Sequence, residues 1–500
     1  MLRQFTRSLA RSAILRQKNP LIHENGLYYG KFTKEEYEDA KAFVTTQYEK
    51  LEKDIKGSHN IRENVGKMAQ FPAKGPLKKV NNLLDFFLEM IKTTGPISLS
   101  AFMRQCLTHP DYGYYTTRNP LDTSSGDFIT SPEISSVFGE MIGIWLYTVW
   151  TSQGSPESIN VIEFGPGRGT LMYDVMSVFT KFVNKLNIDV KCNIVMIEAS
   201  PVLRKEQWGL LCSQLSAFEI DEAGFNVSKT KWGTQITWVD TEKDIISKPD
   251  DVNYIIAHEF FDALPIKSFT HTEHGWRELL VEHSSSVVNT QGKLPSAESD
   301  NPQTPTPESL EVDFHLTASP KETPSSTVPT ISERFRDLPV GTRIEVCADA
   351  ELYMKKIMQL IGGGTRSAGG ALIIDYGLAD EIPLNSLRGI YKHQFVSPFY
   401  KPGDVDLSID VDFENLKLIA SPQVDVFGPV EQGDWLHELG IGYRFDQLIK
   451  SANLMANKEL LYESYLRLTS KDDKGMGKIY KFMGLLPKGS AKPVGFGGSV

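Results

Sequence analysis

The chain has 500 residues, with 53 Lys and Arg against 63 Asp and Glu and a formal net charge of −10. That balance argues against a general nucleic-acid binder, which would present a basic face, and the length allows two or three structural units with a sizeable core. Four cysteines (Cys106, Cys192, Cys212 and Cys347) are too scattered for a zinc spacing or a CxxC pair, so a reducing compartment is expected, without disulfides or a metal site. The most apolar run, Met141 to Trp150, is about half of the ~20 residues a membrane helix needs and reads as a core helix, not a span.

Met1 to Pro20 holds no acid, while Arg3, Arg7, Arg11, Arg16 and Lys18 are basic. At roughly 100° per residue, Arg3, Arg7 and Arg11 share one helix side and Leu2, Phe5, Leu9 and Ala13 the other. An acid-poor amphipathic start of this kind has the pattern of a mitochondrial transit peptide. Residues 1–20 are therefore expected to be a leader directed to the matrix; a basic surface helix or tail is the alternative.

The segment 80–158 reads as helical. Leu83, Leu84, Phe87, Leu88 and Ile91 lie on one helix face that stops at Thr94-Gly95-Pro96, and a second helix is expected from Ile97 to Leu107 with Ser98 or Ser100 as its cap. One further helix is expected, capped by Ser131, with Pro132 in its first position and Ile134, Val137, Phe138, Met141 and Trp145 as its buried stripe. That places Asp127, Phe128, Thr130 and Glu133 on a loop ahead of the next strand. There they either close over a ligand or, for the two acids, merely cap the helix.

Val161 to Phe164 reads as a buried strand running into Gly165, Gly167 and Gly169, and Leu171, Val175, Val178 and Phe179 follow at helical spacing. Strand, glycine turn and helix form the ligand corner of a doubly wound α/β sheet. The glycines allow positive φ and close approach to the backbone. A dinucleotide fingerprint would need a glycine at Thr170, and a P-loop would need a Gly-Lys-Ser/Thr that is missing. Glu163, two residues before the first glycine, suits a cationic ligand and would repel pyrophosphate. The acid-x-Gly-x-Gly-x-Gly arrangement resembles the first motif of S-adenosylmethionine (SAM) methyltransferases, and an ordinary glycine turn is the bland alternative.

The alternation of strands and helices continues beyond this corner. Asn193–Ile197 is expected to be a strand ending in Glu198, where a ribose diol is usually gripped. Ile236–Val239 precedes Asp240, and Asn253–Ala257 delivers HEFFDALP at its carboxyl end. Ala371–Ile374 runs into Asp375-Tyr376-Gly377. WRELLVE, from Trp276 to Glu282, reads as an outgoing hairpin strand. His283 to Thr330 contains 9 Ser, 7 Thr and 7 Pro in 48 residues, so 283–330 is expected to be a disordered insertion, with Leu310–Leu316 as its one apolar island and a candidate short strand. Gly362–Gly370 and the tail 487–500 read as flexible. Asp404, Asp406, Asp410 and Asp412 read either as a run that steers a basic peptide or as a solvated acidic face.

GDFITSPEIS, EFGPGRGTLMYD, EASPVLR, HEFFDALP and IIDYG, in this order and spacing, resemble the MidA family. The likeness continues through PGDVDLSIDVDF, EQGDWLHELGIGYR and GMGKIYKFMGLL and covers roughly Leu83 to Leu486. Two departures are His258, where the family usually has Asn, and Ser136, where it often has Gln. The resemblance implies a class I (Rossmann-like) SAM methyltransferase sheet of α/β class with helical N-terminal and C-terminal additions. The folded chain is expected to divide into 80–158, a core in two parts at 159–282 and 331–486, and the insertion between them, which is private to this chain.

The resemblance further implies SAM as cofactor and symmetric dimethylation of an arginine in a protein, with a core subunit of respiratory complex I as partner in the mitochondrial matrix. No nucleic acid and no membrane span enter this reading, and a homo-oligomer is compatible with it. Glu163, Gly165, Gly167, Gly169, Glu198, Asp127, Phe128 and Thr130 are the expected cofactor residues. A guanidinium stays protonated near neutral pH and matches carboxylates, so Glu259 and Asp262, with His258 beside them, are the expected catalytic residues, walled from water by Phe260 and Phe261. Local backbone pairing is the alternative role for those two acids. A small-molecule methyltransferase and a SAM-binding assembly chaperone without turnover are the rival functions.

Overall fold

The computed structural model describes Leu27–Tyr28, Phe32–Thr33, 80–117, 130–245, 248, 250–283, 312–362 and 367–498. The chain divides into two units, Met1–Lys79 and Val80–Val500. In the first, only the antiparallel pair Leu27–Tyr28 and Phe32–Thr33 is described. The expected leader lies outside the described residues, as do Asp127 and Phe128.

The second unit opens with α1 (Leu83–Thr94) and α2 (Leu99–Thr108). The Asn82 side chain accepts from the Asp85 N–H and caps α1, and Ser98 does the same for α2 through Ala101 N–H, each relieving an otherwise unpaired donor of the first turn. Instead of one helix from Ser131 there are two, α3 (Ser131–Ile134) and α4 (Ser136–Ser152). The break is at Ser135, whose backbone is extended at φ −162° and whose hydroxyl accepts from Val137 N–H. Ser135 is thus the cap of the long helix, and Thr130 stands at the start of the short one.

The central sheet contains β1 (Ser158–Phe164), β2 (Lys191–Ile197), β3 (Gln235–Val239) and β4 (Val252–His258). Between them run α5 (Thr170–Lys185) and α6 (Pro201–Leu211). A second, antiparallel sheet follows from β5 (Lys267–Thr272), β6 (Gly275–His283), β7 (Phe314–Ala318) and β8 (Arg343–Val346). The chain returns to the central sheet with α7 (Ala348–Leu360) and β9 (Gly370–Tyr376). The short strand β10 (Asp406–Ser408), part of a separate three-stranded sheet, and α8 (Phe413–Ala420) come next, and β11 (Asp425–Glu431) and β12 (Tyr480–Leu486) complete the central sheet.

Spatially the central sheet runs β11-β12-β9-β4-β1-β2-β3, extended past β3 by Asn226–Lys229 and Glu219–Ile220. β1 is parallel to both β2 and β4, and β12 is antiparallel to β9. From β1 the chain winds outward one way through β2 and β3, then the other way through β4 and β9. The switch point therefore lies between the carboxyl ends of β1 and β4, where an open α/β sheet binds ligands.

Side chains alternate across this sheet with period two. Ile159 and Val161 of β1 join Phe138, Trp145 and Phe179 of α4 and α5 on one face. Ile162 and Phe164 join Met354, Ile357 and Phe413 of α7 and α8 on the other. A third core gathers Phe87, Phe102, Phe314 and Phe399 beneath α1 and α2.

Two stretches expected to lack structure are folded. In the Ser/Thr/Pro-rich insertion, the candidate strand of the apolar island is present, shifted toward the C-terminus: β7 pairs with β6 from His283↔Phe314 to Leu279↔Ala318, and Phe314 is buried against Phe87 and Phe102. Past it, Thr323 and Ser326 cap a short 3-10 turn, the Thr323 hydroxyl donates to Glu278 Oε2 at 2.5 Å, and Pro329 is buried. The hydroxyl groups that made this composition look unpackable are its hydrogen-bonding partners. Residues 284–311 lie outside the described ones. In the tail, Phe496 is buried in the first core and Gly497 N–H donates to Glu438 Oε1. The Gly362–Gly370 loop is described except for 363–366, and Gly369 exchanges hydrogen bonds with the Gln153 side chain.

Candidate active site

Three glycines shape the β1–α5 corner: Gly165, Gly167 and Gly169 have φ of 64°, 53° and 83°, left-handed values that other residues adopt only under strain. A Cβ at Gly165 would stand 3.3 Å from the Phe260 ring, and one at Gly169 3.2 Å from Gln207 Cγ. Gln207 of α6 braces the turn by donating to the Gly167 carbonyl at 2.6 Å. Thr170 Oγ1 donates to Glu133 Oε1 at 2.8 Å, which ties α3, and with it the Thr130 junction, to the first turn of α5.

Glu163 is 2% exposed, and its Oε2 has no hydrogen-bond partner. Burial pushes its carboxyl up to about 8. A buried acid with one oxygen unmatched, beside a glycine turn, fits a ligand that brings a cation. Glu198 follows β2 directly. Its Oε1 accepts from Ser200 N–H at 2.7 Å and its Oε2 from Gln207 at 3.4 Å. Burial raises it to about 7, against the lowering effect of those bonds and of Arg204.

On the other side of the switch point, β4 ends at His258 and the chain turns sharply. Glu259 has φ 48°, a left-handed conformation that costs a residue with a Cβ about 1–2 kcal/mol, and such strain gathers at functional sites. Its N–H donates to the Ile374 carbonyl at 2.9 Å. Asp375 Oδ2 then accepts three successive N–H groups, from Phe260, Phe261 and Asp262, at 3.2, 2.9 and 3.3 Å. A carboxylate at the end of β9 thereby holds the turn after β4.

The expected catalytic residues gather here. Glu259 Oε1 accepts from the Tyr480 hydroxyl at 2.9 Å, with His258 Nε2 at 3.6 Å. Burial, with Asp262 and Asp406 nearby, pushes Glu259 up to about 8 against the opposing Tyr480 bond. Burial lowers His258 to about 3, so its ring is neutral; it packs edge-on to Phe138, and Nε2 has no hydrogen-bond partner. Asp262 receives hydrogen bonds from Tyr376 and Ser408, while its Oδ1 remains unpartnered. Burial raises it too, and Asp375 with it.

The acidic run behaves differently from either expectation. Asp406 is buried and accepts from Tyr115 at 2.9 Å, Asp410 pairs with Arg388 at 2.7 Å, and Asp412 caps α8 and pairs with Arg334 at 2.8 Å. These carboxylates brace the fold instead of forming a solvated face. Sequence reasoning assigned no role to Asp375, Tyr376, Ser408, Tyr480 or Gln207, although IIDYG and GMGKIYKFMGLL contain three of them. A cavity of about 310 Å³ lies behind the acid turn, lined by Phe261, Ile266, Phe335 and Asp410 among others, and reaches neither the glycines nor Glu259. Among the described residues no cluster of metal-ligating side chains occurs, and no helix is long and apolar enough to cross a membrane.

With this geometry in view, the chain is similar to proteins of known kind. A family model described as a putative S-adenosyl-L-methionine-dependent methyltransferase matches residues 141–430. The protein arginine methyltransferase NDUFAF7, mitochondrial, of Rattus norvegicus is 34% identical over 82% of this chain and 85% of its own. Its human counterpart is 33% identical over 83% and 85%. A COG1565 superfamily protein of Burkholderia thailandensis, whose crystal structure holds S-adenosyl-homocysteine, superposes with a TM-score of 0.59 at 19% identity, covering 83% of this chain and 93% of that one.

Proposed function

We propose, from the premise that this chain belongs to the MidA-like family of S-adenosyl-L-methionine-dependent methyltransferases, that it methylates arginine in a protein substrate. In this reading it acts in the mitochondrial matrix, dimethylates the arginine symmetrically on a core subunit of respiratory complex I, and is needed for that complex to assemble. SAM is the cofactor of the family. The names of the rat and human relatives support the arginine and the organelle.

The residues at the switch point fit the cofactor. The unpartnered Oε2 of buried Glu163 would take its ammonium group, the left-handed glycines would let it lie against the backbone, and Glu198 would accept from its ribose. Thr130, with Asp127 and Phe128 shortly before it in the chain, would cover it. Bound there, SAM supplies a methyl group on a positively charged sulfur.

The observation that carries the arginine reading is Glu259, a strained acid fixed beside the glycine corner with Oε1 already occupied. Asp262, whose Oδ2 accepts from Tyr376 and Ser408 while its Oδ1 stays unpartnered, stands beside it in the same turn. Glu259 holds its proton at neutral pH because it is buried among acids. An arriving guanidinium reverses that balance, drives the proton off and gains a carboxylate partner in a dry setting. Phe260, packed edge-on to Phe164 and Phe261, keeps water from the junction between the two corners. Alignment and electrostatics of this kind are what a displacement at a methyl group requires.

Incubation with labelled SAM and a mitochondrial extract from cells lacking the protein tests this. Mass spectrometry should find dimethylarginine in a labelled complex I subunit. Label confined to small molecules, or to no arginine, would overturn the reading.

A further inference from the structure

We propose that Tyr480 is a positioning residue of the transfer site: its hydroxyl fixes Glu259 Oε1, so that Oε2 is the oxygen presented to the substrate cation. This rests on the reading of Glu259 as the guanidinium acceptor and adds to it a residue far away in sequence. The bond from Tyr480 to Oε1 is 2.9 Å. The other polar group near that oxygen, His258 Nε2 at 3.6 Å, lies beyond hydrogen-bonding reach.

The geometry leaves Tyr480 little else to do. It begins β12 directly opposite Tyr376 of β9, with the two rings edge-on at 5.3 Å, and its N–H is held by the Met476 carbonyl. Burial and the adjacent Glu259 keep the phenol protonated far into the alkaline range, so the hydroxyl is a permanent donor. Meanwhile the backbone of Glu259 cannot swing. Ile374 holds its N–H, and Asp375 holds the next three. The remaining freedom lies in the side-chain torsions of Glu259, and the Tyr480 hydroxyl removes it. A carboxylate fixed in this way meets a planar guanidinium without first ordering itself, which is the advantage of a preorganised site.

The same bond has an electrostatic consequence. Donation from Tyr480 lowers the Glu259 carboxyl, opposing the burial that raises it. Losing it should therefore make Glu259 titrate at a higher pH, which a purely structural tyrosine would not do.

Tyr480→Phe tests this in the full chain saturated with S-adenosyl-homocysteine. The probe is ethylguanidinium, titrated by calorimetry between pH 6 and 9. Wild type should bind it more tightly as pH rises to a plateau. In Tyr480→Phe, binding at pH 7 should be roughly 10- to 100-fold weaker, the range for one hydrogen bond to a charged group. The pH of half-plateau should also move upward, with affinity for S-adenosyl-homocysteine unchanged. Tyr254→Phe, which removes a tyrosine hydrogen bond to Gln153 away from the acid turn, should leave that midpoint in place. A wild-type midpoint in Tyr480→Phe, or an equal shift in Tyr254→Phe, overturns the inference. If Glu259→Gln binds the probe as wild type does, the reading of the acid turn itself has failed. If Glu259→Gln loses binding while Tyr480→Phe keeps it, only the role of Tyr480 has failed.

Discussion

The glycine corner and the acid turn stand side by side at the ends of β1 and β4, yet the chain builds them in opposite ways. The corner is local. Its strand, its three left-handed glycines and its helix lie within one short stretch, and Gly169 N–H closes the turn on the Pro166 carbonyl. The acid turn is assembled from afar: Glu259 meets Tyr480 across 221 positions, Asp262 meets Ser408 across 146, and Asp375 holds Phe260 across 115. A motif whose backbone turn is set within one stretch, braced by Gln207 and Glu133 from nearby in the chain, can bind a cofactor shared by many reactions. A site drawn from the ends of four strands can be tuned to one substrate, at the expense of depending on all of them. Damage to the corner should therefore be absolute and confined to cofactor binding, whereas damage to the turn should leave the cofactor alone.

The largest expected effect is at the corner. Gly167→Val adds a β-branched side chain at φ 53°, where the backbone alone resists by about 1–2 kcal/mol, and it fills the space a ligand would use. Affinity for S-adenosyl-homocysteine should fall at least ~100-fold, or ~3 kcal/mol, with the far-UV spectrum retained. Calorimetry showing normal affinity would remove the turn from the site.

Next comes Glu163, where binding and stability oppose each other. Its carboxyl is raised to about 8 in the folded chain from an unfolded value near ~4.3. The folded state thus holds a proton that the unfolded state releases, and that stability is complete below ~4.3 and lost as pH rises through about 8. Glu163→Gln cannot ionise. It should gain roughly 2–4 kcal/mol over wild type between pH 5 and 8 without ligand, while binding the cofactor more weakly. Parallel melting curves for the two proteins across that range would show that Glu163 does not titrate as stated.

At the acid turn, Glu259→Gln keeps the shape and loses the charge. Transfer in single turnovers should slow by roughly two orders of magnitude, as loss of a positioned electrostatic group does, while cofactor affinity changes by less than ~1 kcal/mol. A variant that lost both together would break the separation of the two regions.

The same contrast explains what the sequence made legible. Apolar runs located β1, β2, β3, β4 and β9, because strands buried on both faces read as continuous hydrophobic segments. Positive-φ glycines and a preceding acid located the corner, since a local backbone demand leaves a local mark. Glu259 and Asp262 were visible as acids at a strand end, but their partners were not: nothing near Tyr480 or Asp375 in the chain states that antiparallel β12 will lie beside β9. Composition misled in two places. The Ser/Thr/Pro-rich segment after 312 folds because its hydroxyls cap turns and reach Glu278, and the glycine-rich tail folds because Phe496 finds the core beside Phe427.

The smallest effect expected is at Glu198, which belongs to the corner yet shares a feature of the turn. Its Oε1 is occupied by its own loop at Ser200, and its Oε2 is held only by a long 3.4 Å bond from Gln207, so one oxygen remains for a ribose hydroxyl pair. Glu198→Ala should weaken cofactor binding by about 1–3 kcal/mol, the range for a hydrogen bond to a charged partner. Part of that loss comes from Gln207, whose Nε2 also braces the Gly167 carbonyl and would lose its second acceptor. Glu198→Gln separates the two contributions, because an amide oxygen can still accept from Gln207 or from the ribose but carries no charge. Since burial raises Glu198 to about 7, wild-type affinity should decline as pH falls from 8 to 6, as the carboxylate takes up a proton and accepts less well. In Glu198→Gln that decline should flatten. Calorimetry at three pH values on both proteins measures it, and an equal slope in the two would assign the titration to Glu163 instead, the other acid of the corner.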